Sequence, residues 1–180
     1  MTLIILRPFE DNEALWTTFP TPGGTMWGAT DGTTAYEGGS GKPATASGIE
    51  SKVSAQKAIV ALGYEGARWQ LPAGAKLISA AARIYCTPGK TKDLLLKLNF
   101  GGPLVEEKPA GTATSWVSLA LEAVQLAFLQ ESFELGKEPK CVLEAKCEAA
   151  LTTDDKVYQW QVEIEYTGAA ASSAALVMMV

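Results

Sequence analysis

Between Lys156 and Thr167 the side chains alternate strictly. Tyr158, Trp160, Val162, Ile164 and Tyr166 fall on one side, and Val157, Gln159, Gln161, Glu163 and Glu165 on the other. A period of two with aromatic and β-branched residues on one face predicts a half-buried strand. Cys141, Leu143, Ala145 and Cys147 alternate in the same way against Val142, Glu144, Lys146 and Glu148. Thr152-Thr-Asp-Asp155 separates the two runs with turn-forming residues, so they are expected to pair as an antiparallel hairpin. Further strands are predicted over 57–62, closed by Gly63, and over 76–87, entered through the Leu71-Pro-Ala-Gly-Ala75 turn and stopped by Pro88-Gly89. In the second of these Ile78, Ala80, Ala82, Ile84 and Cys86 form one stripe. Leu94, Leu96, Leu98 and Phe100 are in phase over 93–100, and residues 114–119 make a short strand.

One segment has the other period. Leu121, Val124 and Phe128, with Leu126 and Leu129, lie at helical spacing, which predicts a short helix over 120–131 lying on a sheet end. Residues 20–56 are rich in Gly, Pro, Ser and Thr and predict a long loop with one edge strand or an arm. Short strands, Gly/Pro punctuation and one helix make the expected fold mainly all-β: an antiparallel β-sandwich or jelly roll with extended arms at both ends. The expected division is an N-terminal arm and loop region over 1–56, a β-sandwich over 57–168 and an apolar tail over 169–180. That last stretch, Ala/Ser followed by Leu176-Val-Met-Met-Val180, carries no charge. An uncharged segment of this kind is a hazard unless covered, either by its own sheet or by a neighbouring subunit.

Composition narrows the chemistry. At 180 residues and 47% apolar, the chain is long enough for a single hydrophobic core and is not disordered as a whole. No apolar run nears the ~20 residues of a membrane helix, and no secretion signal is expected at the start. Histidine is absent, which removes the usual general base near neutral pH and the imidazole-dependent triads. With a net charge of −5, its acidic excess within 131–167, the chain has no field to attract a phosphate backbone. Cys86, Cys141 and Cys147 read as three buried small hydrophobes, although a bridge from Cys86 stays open.

The candidate chemistry is sparse. Gly23-Gly24, Gly38-Gly-Ser-Gly41 and Gly101-Gly102 match no nucleotide-binding fingerprint and read as turns. Glu106-Glu107 and Asp154-Asp155 are adjacent acids, which cannot face one another across a cleft as a glycosidase requires; a calcium site at 154–155 is a minor alternative. Glu163 and Glu165 are expected on the wet face of their strand. No catalytic residue, metal ligand or cofactor is predicted. Trp16, Trp27, Tyr36, Tyr64 and Trp69 fall in loop-like sequence, where aromatics either plug the ends of a sandwich or offer stacking platforms.

Gln70-Leu-Pro-Ala-Gly-Ala-Lys-Leu77 opening a strand, Thr114-Ser-Trp116 with the amphipathic stretch ending near Phe133, and a closing Val162-x-Ile164-x-Tyr166-Thr167 occur in that order. Over residues 55–168 this resembles the jelly-roll or β-sandwich structural modules of tailed-bacteriophage virions, of head-decoration, head-fibre or tail-accessory type. The resemblance implies a non-enzymatic virion component, assembled in the host cytoplasm, that contacts major capsid or tail proteins and copies of itself as a homo-oligomer. Nucleic acid and membrane are not expected partners. Leu3, Ile4, Ile5, Leu176, Val177, Met178, Met179 and Val180 are the expected docking residues. The alternative is a carbohydrate-binding or host-adhesion module using Trp27, Tyr36 and Trp69.

Overall fold

The computed structural model describes residues 1–33, 36, 39–64, 69–137, 140–150 and 152–168. The described residues form ten strands and two helices: β1 (Thr2–Ala14), β2 (Thr17–Phe19), α1 (Met26–Thr30), β3 (Gly48–Ser51), β4 (Lys57–Gly63), β5 (Lys76–Thr87), β6 (Leu94–Asn99), β7 (Leu104–Glu107), β8 (Ser115–Ala120), α2 (Ala123–Glu134), β9 (Cys141–Cys147) and β10 (Asp155–Thr167). The mainly antiparallel all-β architecture with a short helix over the sheet is therefore as expected.

The strands make one open ten-stranded sheet in the order β2-β3-β10-β1-β4-β9-β6-β7, with β5 on the other edge of β10 and β8 beyond it. β1 joins its two halves. Thr2–Leu6 pairs with β10, and Arg7–Ala14 then pairs with β4. Register shifts between Pro8 and Glu10 and between Asp11 and Glu13 interrupt the second ladder. A proline lacks the N–H that a regular ladder needs, so it sits where the strand changes partners. Ile4, Leu6, Ile84, Val162 and Ile164 from one half share a single hydrophobic cluster with Val60, Leu94, Leu96, Leu98 and Leu143 from the other. Each such leucine or isoleucine contributes about 1.5–3 kcal/mol on burial.

Four expectations are corrected. First, residues 1–56 are no arm: β1 is a 13-residue strand inside the sheet, β2 follows it, and α1 and β3 lie within 20–56, the stretch read as a long loop with one edge strand or an arm. Leu3-Ile4-Ile5 hides its alternation because both faces are apolar there, yet only Ile4 enters the core. Second, β9 and β10 do not form a hairpin. β9 lies between β4 and β6, whereas β10 pairs with β1, β3 and β5. Alternation reports which face is buried and says nothing about the neighbour, and the connection crosses from one half of the sheet to the other.

Third, a register shift between Val157 and Gln159 reverses the facing of the first residues of β10. Val157 joins the core cluster, and Tyr158 turns to the outer face against Phe19 and Tyr85. Gln159 and Gln161, expected to be wet, are fully buried. Fourth, the helix begins three residues later than predicted, because Glu122 and Gln125 form a reciprocal capping box that sets its start. It turns Leu129 inward, with Leu126 and Phe133 packed on the core, and leaves Val124 and Phe128 outside.

Candidate functional site

Ile5, Arg7 and Phe9 share one face of β1 at a spacing of two. With Pro8, Trp27, Asp31 and Tyr64 they line an open cleft of about 540 Å³. Tyr64 follows Gly63, which is opposite Arg7 in the β1–β4 ladder. Trp27 and Asp31 come from α1 and its C-cap, and that five-residue helix is held at both ends. Its Thr25 N-cap makes no side-chain bond. The Asp11 carboxylate on β1 does this work instead, accepting the amides of Met26 at 2.8 Å and Trp27 at 2.7 Å. At the other end the buried Trp160 indole N–H donates to Thr30 Oγ1, while the Thr30 hydroxyl donates to the Met26 carbonyl.

Arg7 donates to the Gly32 carbonyl. Gly32 is closely confined, since a Cβ there would lie 2.3 Å from Gln159 Oε1. Burial pulls the Arg7 guanidinium below its ordinary pKa and pushes the Asp31 carboxyl above its own; the opposite charge of each partly offsets the other's shift. The cleft thus carries one cation and one anion, with Trp27 and Tyr64, both half-buried, among its walls.

A second feature is a chain of rings on the outer face. Tyr36 meets Trp116 edge-on at 5.7 Å, Trp116 lies 5.2 Å from Tyr85, Tyr85 6.0 Å from Tyr158, and Tyr158 5.8 Å from Phe19. Arg83 sits over Tyr36 at 4.2 Å and is paired with Glu163 at 2.9 Å. These rings pack against one another, so their faces are largely occupied. The third feature is α2's outward stripe. Val124, Phe128 and Leu135 are 73%, 52% and 65% exposed, and Leu104 of β7 is 43% exposed. Gln125 Nε2 donates to the Leu104 carbonyl, which brings β7 alongside the helix.

The expected site residues separate accordingly. Ile5 and Trp27 meet in the cleft. Leu3 is exposed and Ile4 is core. Tyr36 belongs to the ring chain. Trp69 is no platform: it is buried against Phe133 and Tyr166. Leu176, Val177, Met178, Met179 and Val180 lie outside the described residues. Arg7, Asp31 and Phe128 were missed, although Ile5-x-Arg7-x-Phe9 carries a strand period that could have flagged Arg7.

Of the paired acids, Asp155 is fully buried and accepts the Gly89 amide at 2.7 Å. Burial pushes its carboxyl above the usual range, partly opposed by that amide. It stands in the interior beside Cys147, and among the described residues no three His, Cys, Asp or Glu side chains gather to hold a metal ion. The three cysteines are free and buried. No protein-family model matches the sequence, and no curated protein matches it.

Proposed function

We propose that the protein is a non-enzymatic structural component of a tailed-phage virion. In this reading it assembles with copies of itself and with major capsid or tail proteins by burying surface. The observation that carries the reading is the α2 stripe. A helix capping a sheet end ordinarily turns polar residues outward. Here Val124 and Phe128 of the helix, four residues apart, and its C-cap Leu135 are exposed.

The occupant we assign to that stripe is Leu176-Val-Met-Met-Val180 of a neighbouring copy. β10 ends beside α2: a Cβ on Gly168 would lie 2.8 Å from the Ala75 Cα, and Gln130 of α2 donates to the Ala75 carbonyl. Each methylene covered contributes about 0.8 kcal/mol before ordering costs, and repetition around a symmetric assembly multiplies weak contacts by avidity.

Light scattering on the full chain, on a chain lacking 169–180 and on Phe128→Glu tests the reading. The full chain should be oligomeric, and both variants should be monomeric with unchanged thermal melting. A monomeric full chain, or variants that assemble as well as it does, overturns the proposal.

A further inference from the structure

The cleft on the outer face of β1 has no part in that assembly, and it has the chemistry of a binding site. We propose that it binds a neutral saccharide. Trp27 and Tyr64 offer aromatic surface from two different elements, one from α1 and the other from the end of β4. Aromatic surface of this kind suits the apolar C–H face of a pyranose ring, with polar groups at the periphery fixing orientation.

The polar groups are complementary to hydroxyls. A guanidinium only donates, and an ionised carboxylate only accepts. Arg7 and Asp31 therefore serve the two halves of a hydroxyl, and together two vicinal hydroxyls. The Gly32 carbonyl already orients Arg7, so its fork is set before a ligand arrives. Asp11 and Thr30 fix the helix that carries Trp27 and ends at Asp31.

Charge decides against an anionic ligand. Asp31 cancels the Arg7 charge within the cleft, and the whole chain is at −5, so a carboxylate or phosphate gains nothing from the surrounding field. A volume of about 540 Å³, open on one side, suits one or two sugar rings better than an enclosed cofactor.

The test is saturation-transfer NMR and tryptophan fluorescence on the full chain with glucose, galactose, mannose, maltose, lactose and cellobiose. Glucuronate and inorganic phosphate form the anionic arms. At least one neutral sugar should give saturable binding in the millimolar range, tighter than glucuronate or phosphate. Trp27→Ala should weaken it about tenfold, the loss of one stacked ring. Because Trp27 also packs on the core, Asp31→Asn supplies a near-isosteric, exposed variant. It should fold as the native chain, weaken the sugar and strengthen phosphate, since Arg7 is then uncompensated. Binding to no neutral sugar, tighter binding of either anion to the native chain, or an Asp31→Asn chain with native affinities each overturns the proposal. These outcomes are independent of oligomer size, so they do not bear on the assembly reading.

Discussion

Replacing Asp11 by Ala removes both acceptors used by the first two amides of α1, those of Met26 and Trp27. A lost helix cap costs about 1 kcal/mol and at most about 2, and a buried hydrogen bond to a charged acceptor is worth about 1.5–3 kcal/mol. Asp11 is half-buried, so water recovers part of what is lost, and we expect a destabilisation of about 2 kcal/mol. In a chain of this length each kcal/mol lowers Tm by about 2–4 °C, which gives a fall of about 4–8 °C. Asp11→Asn keeps one neutral carbonyl acceptor and should recover about half of it. Calorimetry measures the fall, and hydrogen exchange at the Met26 and Trp27 amides locates it. Those amides should exchange faster in Asp11→Ala while the amides of β9, far from α1 in the strand order, keep their protection relative to global unfolding. A variant that melts within about 1 °C of the native chain with both amides protected would refute the reasoning, because α1 would then be held by its core contacts alone.

Two further outcomes follow from burial. Burial raises the Cys86 thiol to about 12 and pushes Cys141 and Cys147 higher still, so a disulfide reagent such as DTNB at neutral pH should modify none of the three in the folded chain and all three in denaturant. Fast labelling of the native protein would contradict their placement. Asp155 titrates with the opposite sign to a salt-bridged acid. Its folded-state pKa is raised, so the native state holds the proton more tightly than the unfolded one. Its contribution is therefore fully present below the ordinary carboxylate pKa of about 4 and is lost as pH rises through the raised folded value. Urea melts of the native chain and Asp155→Asn should show the native chain losing stability relative to the variant as pH rises from about 4 to 7. A constant difference would mean that Asp155 ionises normally.

Local periodicity was enough to place most of the strands. Leu94, Leu96 and Leu98 are all fully buried on β6, as their phase requires, and Cys141, Leu143, Ala145 and Cys147 alternate inward on β9. An isolated strand already exposes its two faces, so one buried face leaves a trace that no neighbour can erase. The helix was legible for the same reason, but which of its apolar residues faces the core was not. Val124 and Phe128 lie on one apolar stripe and Leu126, Leu129 and Phe133 on another, and only the sheet edge beneath the helix decides between them.

Partner choice, by contrast, belonged to the tertiary structure. Nothing in β9 and β10 names β4, β6, β1, β3 or β5 as their neighbours, because backbone amides and carbonyls are the same in every strand. The bulge that sends Tyr158 outward depends on how β5 and β3 meet β10, and β1 is a joint between halves of the sheet only because two different strands pair with its successive segments. The cleft follows from that joint. Arg7, Trp27, Asp31 and Tyr64 span 58 positions of sequence with no common motif. They converge because Asp11 on β1 happens to cap a helix that begins fifteen residues later. A constellation assembled by long-range contacts has no period of its own, so composition and spacing could exclude imidazole chemistry but could not reveal where a ligand would sit.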